Sequence, residues 1–373
     1  MTHKIWILPK NQPKAWKIVG ICLGLLFLSS LLKVTADGFL SAKKGYQYNF
    51  PFDHGAHPQF ATEWWYYTGN LEAIDGDDRF GFQLTFFRIG VSPQESIYAA
   101  HFALSDIDGK RFAYFDRINR PQQNIAGVAQ DANGTAIWNK NWSSRISADG
   151  KSHLLTAQEG GVSINLNLAP SFKPVIQGVP GEGISRKGDC ENCASHYYSY
   201  PSMMVNGTLS ILGRTIPVAG TSWMDHEFGS NHPNHNQVGW DWFSMHLDHG
   251  DSLMLYRIRQ ADGSISPFSN GTYISSKGKQ TYLSKGDFNL IPRKTWKSPK
   301  SGAIYPLTWE ITVPRLNLGL KVYPELVNQE LDTSKSTRAK YWEGAIRVID
   351  RAKAKEVGQG YLELTGYADG ASL

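Results

Sequence analysis

Three proton-handling side chains stand in a row at Asp225-His226-Glu227, inside the stretch Gly220-Thr221-Ser222-Trp223-Met224-Asp225-His226-Glu227-Phe228-Gly229-Ser230. A second aromatic stretch, Gly239-Trp240-Asp241-Trp242-Phe243-Ser244, follows shortly after. Asp, His and Glu together can move protons or hold a metal, and flanking Trp and Phe dry the surroundings and shift their pKa values. The competing reading is a strand end whose charges meet solvent or an arginine, because structural ion pairs cluster in the same way. For Asp225 the arginines to consider are Arg88 and Arg257, either of which would lower its pKa. Strand alternation sends Trp223 and Asp225 to the same face.

Other chemical signatures are weak. There is no Gly-x-Ser-x-Gly elbow, no His-Glu-x-x-His and no phosphate-binding glycine loop, which argues against a serine hydrolase and the commonest zinc hydrolases. Cys190-Glu191-Asn192-Cys193 is one Cys-x-x-Cys without a second pair, so a local disulfide or two free thiols is favoured over zinc. His232 and His235 read as part of a polar linker rather than as ligands. Neither a metal nor a cofactor is expected.

The elements that must position these residues are strands. Phe80 to Arg88 is rich in strand formers, and Val162-Ser163-Ile164-Asn165-Leu166-Asn167-Leu168 alternates as a half-buried strand does. His153–Gln158 and 162–168 flank Glu159-Gly160-Gly161, a hairpin signal. Turn tokens recur at Asp75-Gly76, Asp108-Gly109, Asp149-Gly150, His249-Gly250, Asp262-Gly263 and Lys277-Gly278. Long amphipathic helices are scarce, with 327–341 the one stretch open to a helical or loop reading. The chain also resembles itself. Glu63-Trp64-Trp65-Tyr66-Tyr67 leads through a turn to a strand ending at Arg88, and Trp240-Asp241-Trp242-Phe243-Ser244 leads through a turn to one ending at Arg257. Two β-hairpins can be alike by chance; duplication, the other reading, would give two barrels joined near residues 231–237.

The N-terminus carries Lys4, Lys10, Lys14 and Lys17, an apolar run from Ile18 to Leu32, Lys33, and then Val34-Thr35-Ala36. This reads as an export signal, cleaved before Asp37 or retained as an anchor, over residues 1–36. The body is therefore expected outside the cytoplasm, periplasmic or secreted, with peripheral or anchored membrane association. Removing those five lysines from a net charge of +5 leaves a nearly neutral body, which argues against nucleic acid as a partner. Aromatics reach 12% with 12 Trp, against 19% charged residues, so much aromatic surface must be buried.

One set of landmarks runs through the body: His57-Pro58-Gln59-Phe60-Ala61-Thr62-Glu63-Trp64-Trp65-Tyr66-Tyr67-Thr68-Gly69, then 82–88, Gly183-Ile184-Ser185-Arg186-Lys187-Gly188 and Tyr197-Tyr198-Ser199-Tyr200-Pro201. It continues with Trp223 to Glu227, Gly239 to Phe243, Tyr341-Trp342-Glu343-Gly344 and Gly360-Tyr361-Leu362-Glu363-Leu364-Thr365-Gly366-Tyr367. In these the chain resembles the carotenoid 1,2-hydratase (hydroxyneurosporene synthase) family, and more closely its exported AttH-like branch. The resemblance implies an all-β fold of two tandem lipocalin-like antiparallel β-barrels, over residues 45–230 and 232–373. The hydratase branch adds water across an isolated terminal double bond of an acyclic carotenoid. Its attributed acid, histidine and aromatic partners fall on Asp225, His196, Trp223 and Tyr198, with the Trp and Tyr exchanged relative to the carotenoid enzymes.

Protonating an isolated alkene makes a carbocation, so the acid must be neutral and close, which burial achieves by raising a carboxyl pKa. Asp225 would be that acid, Trp223 and Tyr198 would face the cation, and His196 would hold or deprotonate the water. Trp64, Trp65, Tyr66, Trp240, Trp242, His226 and Glu227 are the expected ligand-binding residues, around an apolar isoprenoid or lipid. Two functions follow: an extracytoplasmic acid–base enzyme, and a non-catalytic lipid carrier or accessory protein of a membrane export system. They differ in whether Asp225 is free of an arginine and converges with His196 on one cavity.

Overall fold

In a computed structural model of the chain, the described residues are 38–190, 193–230 and 236–368. The export segment and the histidines of the linker lie outside them. Among the described residues there is no α-helix, only strands and four single turns of 3-10 helix. No described helix is long and apolar enough to cross a membrane.

The first sheet is built from β1 (Thr62–Ala73), β2 (Arg79–Ser92), β3 (Glu95–Asp106), β4 (Arg111–Asn119), β5 (Ala126–Asp131) and β6 (Gly134–Asn139). It continues with β7 (Trp142–Ser147), β8 (His153–Glu159), β9 (Val162–Pro170), β10 (Val175–Ile176), β11 (Ser185–Arg186), β12 (Ala194–Ile211) and β13 (Arg214–Gly229). The path runs β4-β3-β2-β1-β13-β12-β9-β8-β7-β6-β5, antiparallel throughout. The 153–159 and 162–170 segments form the expected hairpin. The end strands β4 and β5 are not paired with each other, yet the sheet curls so that β4 meets β6 through side chains. Arg117 donates to Asn139 O, Asn119 Nδ2 to Asn139 Oδ1, and the Arg117 guanidinium covers Trp142 at 3.8 Å.

The second sheet uses β14 (Gln237–Leu247), β15 (Ser252–Gln260), β16 (Asn270–Ile274), β17 (Gln280–Ser284), β18 (Asn289–Pro292) and, in a separate two-stranded flap, β19 (Thr295–Lys297) with β20 (Ile304–Pro306). It is completed by β21 (Trp309–Val313), β22 (Leu318–Pro324), β23 (Glu330–Thr333), β24 (Ala339–Asp350) and β25 (Glu356–Leu364). Its order is β17-β16-β15-β14-β25-β24-β22-β21-β18, with β23 on β24. The stretch 327–341 is thus partly the hairpin β23–β24, which Thr333 and Ser336 turn, and not a helix.

The internal repeat holds at the level of pairing. β1–β2 beside β13 has its counterpart in β14–β15 beside β25. Even the ion pairs correspond: Glu63 is the register partner of Arg88, and Asp241 that of Arg257. Each pair is an acid on the aromatic strand bound to the arginine directly across from it on the next strand.

The two sheets share a core of Tyr66, Tyr197, Trp223, Trp242, Tyr256 and Tyr361 with aliphatic neighbours. Hydrogen bonds cross it, among them Ser105 Oγ to Gln329 Oε1 at 2.6 Å and Thr272 Oγ1 to Gln177 Oε1 at 2.6 Å. Gly81 sets how closely the sheets approach: a Cβ there would lie 2.6 Å from Tyr361 Oη and 2.9 Å from Ala345 Cβ. Gly81→Val is therefore expected to wedge the sheets and cost about 1–3 kcal/mol, the usual penalty of overpacking. A lower urea midpoint with unchanged far-ultraviolet circular dichroism would show it.

Candidate active site

Alternation along β1, β12 and β13 sends successive side chains to opposite sides of the first sheet. The expected site is divided by this rule. Trp223, Asp225 and Glu227 face the second sheet, joined by Trp64 and Tyr66 from β1 and by Trp240 and Trp242 from β14. His226, Trp65, His196 and Tyr198 point into the first sheet's own interior. His196 and Asp225 therefore do not converge, because β12 and β13 present them on opposite faces. The same reasoning corrects Tyr198, whose place beside Asp225 is taken by its neighbours Tyr197 and Ser199.

Asp225 is 4% exposed. It accepts hydrogen bonds from Tyr197 Oη at 2.6 Å, Ser199 Oγ at 2.5 Å and Trp223 Nε1 at 2.7 Å. No arginine neutralises it: Arg88 is bound to Glu63 and Arg257 to Asp241. Burial pushes its pKa up to about 7, against the three hydrogen bonds and with a further push from Glu227. The rings around it are Trp223 and Trp242, 6.1 Å apart and edge-on, and Tyr66, 5.3 Å from Trp242. Glu227 receives Ser195 Oγ and lies 3.3 Å from Lys187 Nζ, which stands over Tyr256 at 4.4 Å. Burial opposes the charge of Lys187, but Glu227 and Tyr256 outweigh it and raise its pKa.

Sequence reasoning missed Tyr197, Ser199, Ser195 and Lys187. The register would have found the first two, since Ser199 is opposite Asp225 and Tyr197 is opposite Glu227.

On the other face lies a hydrogen-bonded relay. Tyr200 Oη lies 3.4 Å from His54 Nε2, His54 Nδ1 donates to Tyr198 Oη at 2.7 Å, and Tyr198 donates to His226 Nδ1 at 3.0 Å. His226 Nε2 then donates to Glu63 Oε1 at 2.9 Å. Burial keeps His54 neutral, with its pKa near 3, and lowers that of His226. His57 is the exception: burial would lower its pKa, but Glu63 and Asp53 raise it to about 9. Arg88 Nε donates to Glu63 Oε2 at 2.8 Å, and its Nη2 reaches the carbonyls of His57 and Phe60. Two cations, Arg88 and His57, thus balance two anions, Glu63 and Asp53.

Ligand atoms of His57, Glu63 and His226 lie within 4.8 Å of one another. Glu63 is already occupied by Arg88, His226 and the ring and backbone N–H of His57, so the group acts as a buried ion-pair network. His196 stands apart, donating from Nδ1 to Gly183 O at 2.8 Å and lying against Tyr46, with ring centres 4.0 Å apart. Cys190 and Cys193 form a disulfide with Cα atoms 5.1 Å apart.

Two cavities open elsewhere. One of about 580 Å³ lies among Arg79, Asp108, Lys110, Phe112, Glu325 and Arg347. Another of about 550 Å³ is bordered by Leu104, Phe112, Ala113, Val162 and Ile211 on the first sheet. Neither touches Asp225 or His196, so of the two features expected of an enzyme the freedom from arginine is met and the convergence of Asp225 with His196 on one cavity is not.

A family model described as AttH-like matches residues 41–367, and the chain belongs to that family. A crystal structure assigned as AttH from Nitrosomonas europaea superposes with a TM-score of 0.80 at 32% identity, over 88% of this chain and all of that one. Kievitone hydratase from Nectria haematococca superposes with a TM-score of 0.64 at 14% identity, over 88% and 99%. Among curated proteins, dehydratase asqC of Emericella nidulans is 21% identical over 279 residues, 70% of this chain and 75% of that protein.

Two outcomes check the division into faces. Glu63→Gln leaves Arg88 buried without its counter-charge and is expected to cost about 3–5 kcal/mol in urea unfolding. The raised pKa of Asp225 means that the folded state holds this proton more tightly than the unfolded chain, in which an aspartate titrates near about 4. Its contribution to stability is complete below that value and is lost as pH rises through about 7. Asp225→Asn is expected to flatten the decline in stability between those values, measured by urea unfolding across the pH series.

Proposed function

We propose that this protein is a hydro-lyase, a hydratase or dehydratase, with Asp225 as its general acid. The single observation that carries this is a buried carboxyl held by three donors, free of any arginine, and enclosed by aromatic rings. A neutral acid there can give its proton to an alkene carbon or to a departing hydroxyl, and the rings of Trp223 and Trp242 stabilise the cation by up to about 2 kcal/mol. The similarity to a dehydratase and to a hydratase supports the same class, because addition and elimination of water are one reaction run in two directions. The substrate in this reading carries an isolated double bond on an apolar, isoprenoid-like skeleton bound between the sheets. The carotenoid specificity of the wider family is not needed for it. The export pattern in residues 1–36 supports work outside the cytoplasm, at or near a membrane.

A carrier reading is favoured by a different observation, the apolar border of the cavity on the first sheet. That cavity could hold a lipid without any chemistry, for hand-over to an export system.

The experiment uses acyclic isoprenoid alcohols from geraniol to geranylgeraniol in water labelled with oxygen-18. Label in a new hydroxyl is expected with the wild-type protein. Asp225→Asn should bind the same alcohols, read by quenching of tryptophan fluorescence, and turn over at least ~10²-fold more slowly. Binding by the wild type with no label in any product would favour the carrier.

A further inference from the structure

The second sheet brings its own acids to the face that meets Asp225. Glu343 of β24 and Glu363 of β25 are direct cross-strand partners. Like charges opposite each other weaken a sheet, and apolar residues would pack the same face at lower cost. The nearby bases are committed elsewhere, Lys187 to Glu227 and both Arg257 and Arg259 to Asp241. Among the described residues no lysine, arginine or histidine forms an ion pair with Glu343, Glu363 or Asp225.

Glu343, 2% exposed, and Tyr66, 7% exposed, turn to each other: the phenol makes a side-chain hydrogen bond to the carboxyl that is too loose to be a close one, and neither Glu343 Oε1 nor Tyr66 Oη has a closer protein partner. Tyr66 is the register partner of Asp225 on the neighbouring strand. Its hydroxyl lies among the carboxyls of Glu343, Glu363 and Asp225, which together with burial raise its pKa well above the usual range. Glu363 takes a hydrogen bond from the Trp240 indole, and the charged groups facing it are Glu343, Asp225 and Glu227. Glu343 is faced by Glu363 and by the phenols of Tyr66, Tyr341 and Tyr361. Burial and the mutual repulsion of the pair raise the pKa of Glu343, and burial raises that of Glu363 to about 7.

We infer that Glu343 and Glu363 share one proton and form the water-handling half of the site, facing Asp225 across the two sheets with Tyr66 between them. The shared proton is inferred from the cross-strand register of two buried acids with no base between them, and its catalytic use rests on the hydro-lyase reading. In hydration, Asp225 gives its proton to one alkene carbon as the π pair forms the new C–H bond. The water oxygen bonds to the other carbon, and the surplus proton of that water passes to the singly ionised glutamate pair. The pair is then doubly protonated and Asp225 ionised; transfer through the Tyr66 hydroxyl restores both. Elimination runs the same steps backwards, so no oxidant or reductant is required.

Infrared spectroscopy of the whole protein reads the carbonyl stretch of protonated carboxylic acids without any substrate. The wild type, Asp225→Asn, Glu343→Gln and Glu363→Gln are titrated from acid to alkaline pH, with circular dichroism confirming the fold of each. A protonated-glutamate band at neutral pH is expected in the wild type and in Asp225→Asn. In each glutamine variant the remaining glutamate, freed of its like-charged neighbour, should titrate at least about one unit lower. Titrations of the glutamine variants that superimpose on the wild type, or a wild type without the band, would overturn the shared proton. In the oxygen-18 assay the glutamine variants should bind geranylgeraniol as the wild type does and lose at least ~10²-fold in turnover. Unchanged turnover would reject the catalytic role while leaving the hydro-lyase reading intact. No label even with the wild type would sink that reading and the pair's catalytic role with it, and the infrared titration would still decide the shared proton.

Discussion

The chemistry available at Asp225 depends on strand alternation, which sends the two buried arginines of the aromatic hairpins into the interiors of their own sheets and away from it. Arg88 and Arg257 are both buried or nearly so, and each is fixed by the carboxylate directly across its strand pair, Glu63 for one and Asp241 for the other. Because both are committed inside their own sheets, the space between the sheets keeps acids that have no base to pair with, apart from Glu227 with Lys187. The internal repeat gives this arrangement twice, once in each sheet, so the two interiors are electrically closed and the interface is left open to proton chemistry.

The same strands serve both environments. β13 carries Met224, His226 and Phe228 into the first sheet's interior and Trp223, Asp225 and Glu227 towards the second sheet. β12 does likewise, with Tyr198 and Tyr200 on the inner side and Tyr197 and Ser199 on the outer. A side chain on one face cannot be exchanged for its neighbour without moving to the other environment, since the period of a strand is two. On the inner face the relay from Tyr200 to Glu63 is satisfied in one consistent direction, with His153 Nε2 beside it left without a partner. On the outer face Tyr66 and Glu343 have only a loose hydrogen bond to each other, and neither atom has a closer protein partner.

Much of this was legible in the sequence. Alternation at 162–168, the Gly-containing turns and the repeated aromatic hairpin gave strands, hairpins and duplication, because those features are local and their period is short. The shared face of Trp223 and Asp225 was legible for the same reason. The partners of Asp225 were not, since they depend on the register of β12 against β13, which no local pattern states. His196 and Tyr198 were misplaced by one residue: a match of motifs finds the strand, but only the pairing decides which of two adjacent side chains faces the acid. The stretch 327–341 was ambiguous because its few strand formers are interrupted by Asp332, Ser334 and Lys335, and β23 exists only through pairing with β24. Glu343 and Glu363 stood in recognisable motifs, yet their significance arises from being opposite each other, 20 residues apart along the chain.

A site between two sheets has a property that a site inside one sheet lacks. Opening a hydrogen-bonded sheet breaks its ladder, whereas two sheets that meet through side chains can shift apart slightly while every ladder stays intact. The cross-sheet hydrogen bonds among the described residues each involve a side chain, such as Ser105 to Gln329, Ser185 to Tyr256 and His246 to the carbonyl of Pro201, and none is a rung of a ladder. Trp64, Trp240 and Glu363 keep partial exposure, so the site meets solvent at that end, while Asp225 and Glu343 lie deeper. A largely apolar substrate entering past two tryptophans would displace solvent ahead of it, and the lysine at that end, Lys187, is held by Glu227 rather than by Asp225 or the glutamate pair. The close approach at Gly81 limits how far the sheets collapse at the other end, so the interface is pinned at one side and accessible at the other.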